Sequence, residues 1–129
     1  MIQHNGLTLA YLGDAIYELK IRSYLLNQGL RKVNDLHQSA IQYTQSNAQA
    51  LCALKMVDNF YTDKEVTVFK RGRNQSASHK PKNTDIQTYN QSTGFEAVIG
   101  YLYLKKNKKR LEEIMDKAIE IVNASVGNQ

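Results

Sequence analysis

A chain of 129 residues and 14.7 kDa, 42% hydrophobic, is long enough for one domain with a modest core and too short for a second folded module. Its lone cysteine, Cys52, excludes an intramolecular disulfide, and no Cys/His set at zinc spacing occurs anywhere. The net charge of +5 is unevenly placed: residues 70–110 carry ten Lys/Arg against two acidic side chains, residues 1–69 balance six against six, and residues 111–129 carry one against four, so the excess forms one basic block suited to a polyanion.

Leu7 to Leu26 is crowded with apolar residues on most faces and closes at Gln28-Gly29, which predicts a first helix ended by a glycine. Asn34 or Asp35 is the expected cap of a second helix, in which Leu36, Ala40, Tyr43, Ala48, Leu51 and Leu54 form one stripe with a single drift. Thr62 and Glu65 match a capping box for a short helix carrying Val66 and Phe69 and ending at Arg71-Gly72. A long irregular stretch follows, roughly 72–83, with the only proline and no large apolar residue; loops of this length in compact domains usually serve function. Thr93-Gly94-Phe95-Glu96 is the expected start of a helix running to about Lys106. A final helix places Leu111, Ile114, Met115, Ala118, Ile121 and Val122 on one stripe. No segment alternates with period two, so the expected fold class is all-α, one domain spanning 1–129. The apolar run Ala97 to Leu104 is too short to span a bilayer, and the start Met1-Ile2-Gln3-His4-Asn5 lacks a signal-peptide pattern; the expectation is a cytoplasmic chain with no membrane partner.

Two carboxylates interrupt this apolar patterning: Asp14 within Leu7 to Leu26, and Glu96 at the head of Ala97 to Leu104. A carboxylate in such surroundings must be capped, paired or bound to a cation. Two bland readings compete. Asp14 would cap a helix restarting after a break at Gly13, and Thr93-x-x-Glu96 would be an ordinary capping box. Against them stand the unbroken apolar pattern from Leu9 to Leu26 and the apolar turns after Glu96, which favour two buried helices sharing one cation. Gly13 in a helix interior suggests that something approaches the backbone closely, a metal or phosphates among the candidates. Glu18, four residues after Asp14 and four before Arg22, has a plain ion pair on offer. His37 and His79 lack a neighbouring acid to orient them, so a histidine base pair is not expected and His79 reads as a phosphate contact. Tyr11, Tyr17, Tyr24, Tyr43, Tyr101 and Tyr103 fall in helical apolar stripes, where packing is the default.

Leu9-Ala10-Tyr11-Leu12-Gly13-Asp14-Ala15-Ile16-Tyr17-Glu18, then Asn34-Asp35-Leu36-His37, Lys70-Arg71-Gly72-Arg73-Asn74, Pro81 to Tyr89 and Phe95-Glu96-Ala97-Val98-Ile99-Gly100 resemble, in this order, the ribonuclease III catalytic-domain family. The match is nearest its short bacterial branch, Mini-ribonuclease III, which lacks the double-stranded-RNA-binding domain. The resemblance implies an all-α endonuclease domain forming a two-fold homodimer, which cleaves double-stranded RNA with Mg²⁺, or Mn²⁺ as a substitute, to leave 5′-phosphate and 3′-hydroxyl ends. It places Asp14 and Glu96 on the principal metal-binding and catalytic carboxylates, with Glu18 and Asp85 as accessory candidates. It further suggests precursor 23S ribosomal RNA as substrate and a ribosomal protein bound to it as a partner. The larger relatives carry glutamates at the positions of Leu7 and Ala10 and an aspartate at that of Thr93, so this chain has fewer acidic ligands.

The chemistry stands on its own terms. Phosphodiester hydrolysis needs an activated water and a charge clamp on the phosphate oxygens, both supplied by Mg²⁺ held on carboxylates. Lys70, Arg71, Arg73, His79, Lys80 and Lys82 would grip phosphates, and Asn74, Gln75, Ser76 and Ser78 would reach 2′-hydroxyls across the shallow groove. The alternative is a non-catalytic helical RNA-binding module of ribosome assembly, in which the basic block binds RNA and both acids merely cap helices.

Overall fold

The structure is a computed structural model that describes residues 4–75 and 84–127. Six helices make up its regular structure, with no strand among the described residues: α1 (Gly6–Asn27), α2 (Val33–Thr44), α3 (Ser46–Asn59), α4 (Asp63–Asn74), α5 (Ile86–Leu104) and α6 (Lys108–Gly127). The all-α expectation is met. No described helix is long and apolar enough to cross a membrane.

α5 is the central rod. Phe95, Ala97, Val98, Ile99 and Leu102 are all buried, because α1, α3 and α4 pack along different sides of it. α6 closes the core with Ile114, Met115, Ala118, Ile121 and Val122, the stripe read from its spacing. Cys52 is one more small core residue, its thiol against the Ala118 carbonyl at 3.5 Å, and burial pushes its pKa up to about 12.

α1 matches its expected limits. The Asn5 side chain accepts from the Thr8 N–H at 2.8 Å, and Gly29 takes a φ of 102° just past the end. The helix runs unbroken through Gly13, so Asp14 caps nothing. What approaches Gly13 closely is neither metal nor phosphate but the backbone of α5: a Cβ there would collide with the Glu96 carbonyl oxygen, and one on Gly100 would collide with that of Leu9. Two glycines, one per helix, let α1 and α5 touch main chain to main chain.

Four expected boundaries are corrected. The single second helix is two, because Gln45 is extended (φ −66°, ψ 154°) between α2 and α3; the drift in the stripe, five residues from Tyr43 to Ala48, marks that break. The α2 cap is Lys32 rather than Asn34 or Asp35, and no side chain bonds there. α4 has the full Thr62–Glu65 capping box but continues through Gly72 to Asn74; Gly72 is a packing point, where a Cβ would stand 2.7 Å from that of Ala97. α5 starts at Ile86, capped by Asp85, well before the expected Thr93.

Arg110 belongs to the scaffold rather than to the basic surface. Its guanidinium donates to both oxygens of Glu65 at 2.9 Å and to the Phe60 carbonyl at 2.6 Å, and it lies over the Phe60 ring. Burial alone would raise the Glu65 pKa, but the Arg110 bonds and the Thr62 cap outweigh it and hold the carboxyl below its usual range. Lys105, Lys106, Lys108 and Lys109 remain exposed.

Candidate functional site

The crossing of α1 and α5 generates the site. With Gly13 stacked on Glu96 and Gly100 on Leu9, the next α1 residue, Asp14, and Glu96, near the middle of α5, are brought side by side. Asp14 is exposed and Glu96 half-buried, so the pair has one open side. Neither capping alternative survives: Asp14 lies inside α1, and Glu96 lies far from the α5 N-terminus. Thr93, which would have been its capping partner, donates its hydroxyl to the Tyr89 carbonyl at 3.0 Å within its own helix.

Burial raises the Glu96 pKa well above the usual carboxylate range, and the neighbouring Asp14 carboxylate, close enough to share a proton, raises it further. The only opposing influence comes from α3, where the Gln49 amide faces Glu96 and favours its charged form. Gln49 was not anticipated from the sequence. The available signal was an amide in the otherwise small and apolar run Ala48 to Ala53, all of it core but Leu51.

Lys70, Arg71, Arg73 and Asn74 form the last turn of α4, on either side of Gly72, which packs against Gly94 and Ala97. The basic turn is therefore anchored one residue from Glu96 on the α5 surface. Lys70 and Asn74 are exposed and Arg71 is partly so; Arg73 spreads its guanidinium 5.7 Å above the Phe69 ring and donates to the Asn74 side chain. Gln75 is occupied differently from the expected 2′-hydroxyl contact, because its side-chain oxygen accepts from the Leu7 N–H at 3.1 Å and ties α4 to the start of α1. Ser76, Ser78, His79, Lys80 and Lys82 lie outside the described residues.

The remaining candidates have local partners. Glu18 pairs with Arg22 at 3.2 Å. Both Asp85 oxygens accept from Thr88, at 2.9 Å from its N–H and 2.8 Å from its hydroxyl, which pulls the Asp85 pKa down. His37 is exposed near the start of α2. Tyr11 departs from the packing default: it is 84% exposed on α1, three residues before Asp14, and Tyr103 is also exposed.

Among the described residues no set of three His, Cys, Asp or Glu side chains gathers at one point. Two adjacent carboxylates nevertheless suit a hard divalent cation that keeps most of its shell as water and substrate oxygen.

Comparison with known proteins agrees with this geometry. The model of the Ribonuclease III domain matches residues 7–107. The chain is 46% identical over 119 residues to the Mini-ribonuclease 3 of Streptococcus pneumoniae, covering 92% of this chain and 93% of that one. It is 45% identical over 120 residues to that of Staphylococcus aureus, covering 92% and 90%. A crystal structure of a Fusobacterium nucleatum protein superposes with a TM-score of 0.83 at 30% identity, over 92% of this chain and 93% of the other.

Proposed function

Because this chain belongs to the ribonuclease III domain family, we propose that it is a Mg²⁺-dependent endoribonuclease of double-stranded RNA in which Asp14 and Glu96 hold the catalytic cation. The observation that carries this reading is the pairing of these two carboxylates at the α1–α5 glycine crossing, where neither serves as a helix cap. It disfavours the non-catalytic module, whose premise was that both acids cap helices.

Each residue then has a task. Asp14 and Glu96 supply ligand oxygens, and Gln49 supports Glu96. Bound Mg²⁺, for which Mn²⁺ substitutes, supplies an activated water and charge stabilisation at the phosphate. Lys70, Arg71 and Arg73, anchored beside the pair through Gly72, hold the backbone phosphates, and Asn74 faces the sugar edge. Duplex RNA is read through its shape, because its deep groove hides the base edges. Cleavage breaks the phosphorus–oxygen bond to the 3′ side of the preceding nucleotide, leaving 3′-hydroxyl and 5′-phosphate ends. His79, Lys80 and Lys82 extend the same basic surface in this reading, with Glu18 and Asp85 in supporting roles.

One carboxylate pair addresses one strand, so cutting both strands calls for a two-fold homodimer. An open apolar groove of about 990 Å³, lined by Leu12, Ile16, Leu19, Leu102, Leu111 and Met115, begins beside Asp14 and supports a second copy there; Leu19 is 67% exposed in the single chain. The substrate assigned is precursor 23S ribosomal RNA, with a ribosomal protein bound to it, and this substrate carries a cytoplasmic location with it. The test is incubation of the purified chain with a labelled duplex, and with each strand alone, in Mg²⁺ and in EDTA, followed by ribosomal precursor RNA. Cleavage of the duplex only, and only with Mg²⁺, is the expected result; cleavage in EDTA, or binding without cleavage in Mg²⁺, contradicts it.

A further inference from the structure

α4 ends where three helices meet on glycines. A Cβ on Gly6, the first residue of α1, would stand 2.7 Å from the Arg71 carbonyl oxygen, from Gly72 Cα and from Gln75 Oε1; one on Gly72 would stand 2.7 Å from the Ala97 Cβ and 3.0 Å from Gly94 Cα. The last turn of α4 is thus held between the helix of Asp14 and the helix of Glu96. At Gln75 the chain leaves α4 with an extended backbone (φ −95°, ψ 94°), and the half-buried side chain reaches α1, where its Oε1 accepts from the Leu7 N–H at 3.1 Å. A helix start leaves its first N–H groups without intrahelical partners. Here the Asn5 side chain takes that of Thr8, while Gln75, 68 residues away in sequence, takes that of Leu7. One such bond adds little to global stability, because water would also satisfy the Leu7 N–H. Its effect is on position: it ties the backbone just beyond the basic turn, Lys70 to Asn74, to the helix that carries Asp14 two turns further on, about 10 Å along the axis.

We propose that Gln75 is a positioning residue, whose bond to α1 keeps the phosphate-gripping turn of α4 in register with the carboxylate pair. The inference rests on the duplex-RNA reading above. Lys70, Arg71 and Arg73 have long side chains that can follow a phosphate when the backbone shifts slightly, so affinity tolerates a small displacement of the turn. Hydrolysis does not, because a misplacement of about 1 Å can cost as much as a hundredfold in rate. Loss of the bond therefore acts on how fast bound duplex is cut rather than on how tightly it is held.

The experiment compares wild type, Gln75→Met and Gln75→Glu. Met keeps the side-chain length and removes the acceptor; Glu keeps an acceptor, at a helix N-terminus that favours a carboxylate. The measurements are hydrogen exchange at the Leu7 amide, duplex affinity, and the single-turnover cleavage rate in Mg²⁺ at saturating duplex, which offsets any repulsion from the added charge. For Gln75→Met the expected result is faster exchange at Leu7 with Thr8 unchanged, duplex affinity within about twofold of wild type, and a saturating rate lowered about tenfold. Gln75→Glu restores protection at Leu7 and returns the saturating rate to within about twofold of wild type. A glutamine that merely caps α1 would give faster Leu7 exchange in the Met variant with an unchanged rate, and one that touches the sugar edge would give weaker binding with an unchanged rate at saturation. Either result overturns the proposal, as does a Leu7 amide that exchanges freely in the wild type. Failure of the nuclease reading looks different: the wild type itself then leaves the duplex uncut in Mg²⁺, and the Gln75 assignment falls with it.

Discussion

At Glu96, burial and a like charge act in the same direction, and together they set the sign of the pH dependence. A carboxyl whose folded pKa lies above its unfolded value binds its proton more tightly in the folded chain. The stability it contributes is present below the unfolded value of about 4.3 and is lost as the pH rises through the raised folded value. Glu96→Gln keeps the shape and cannot ionise. In EDTA at neutral pH this variant is therefore expected to melt above the wild type, with the difference vanishing near pH 4, as thermal scans across pH would show. A variant less stable than wild type at neutral pH would mean that Glu96 is satisfied by an unrecognised partner. Gln49 shows why the site is incomplete when read from the sequence alone. A single amide in an apolar stripe has many bland explanations, and only the packing of α3 on α5 brings its influence to Glu96.

The element that matters most is the α1–α5 crossing, because its geometry is the geometry of the site. Gly13→Ala drives a methyl into the Glu96 carbonyl, main chain against main chain, where no side chain can yield. The expected destabilisation is about 3 kcal/mol or more, at the upper end of overpacking, and cleavage disappears with it because Asp14 and Glu96 are pushed apart. Chemical denaturation measures the first and a cleavage assay the second; a stable, active variant would place the crossing elsewhere. Much of this level was legible in the chain. α1, α6 and the capping box of α4 follow from spacing and caps that act over a few residues. The errors fall where the deciding neighbour is distant in sequence: Gly72 looked like a helix end but is a packing point against α5, and Thr93 looked like a cap but lies inside a helix begun by Asp85. Gln45 breaks the second helix without a Gly or Pro to announce it. Tyr11, placed by periodicity in an apolar stripe, is exposed because α1 has more apolar faces than this core covers.

For the whole molecule, charge and symmetry make separate predictions. With Arg110 committed to Glu65, the basic surface near the carboxylates is the last turn of α4. Replacing Lys70, Arg71 and Arg73 with Gln is expected to flatten the plot of log affinity for duplex RNA against log salt by roughly one slope unit for each phosphate no longer neutralised. An unchanged slope would move the surface to Lys105, Lys106, Lys108 and Lys109. Symmetry predicts that mixed dimers of wild-type and Asp14→Asn chains nick one strand and leave the other intact. A monomer by light scattering that still cuts both strands would contradict the dimer. The claim on which the account depends is that Asp14 and Glu96 act together on one cation. Its most direct test is the single-turnover rate of duplex cleavage in Mg²⁺ for Asp14→Asn and Glu96→Gln, with duplex affinity measured on the same samples. Both variants should bind duplex within about twofold of wild type, as expected when the phosphate-binding cations are untouched, while cleavage is abolished. Cleavage by either variant at near wild-type rate would contradict the shared-cation site.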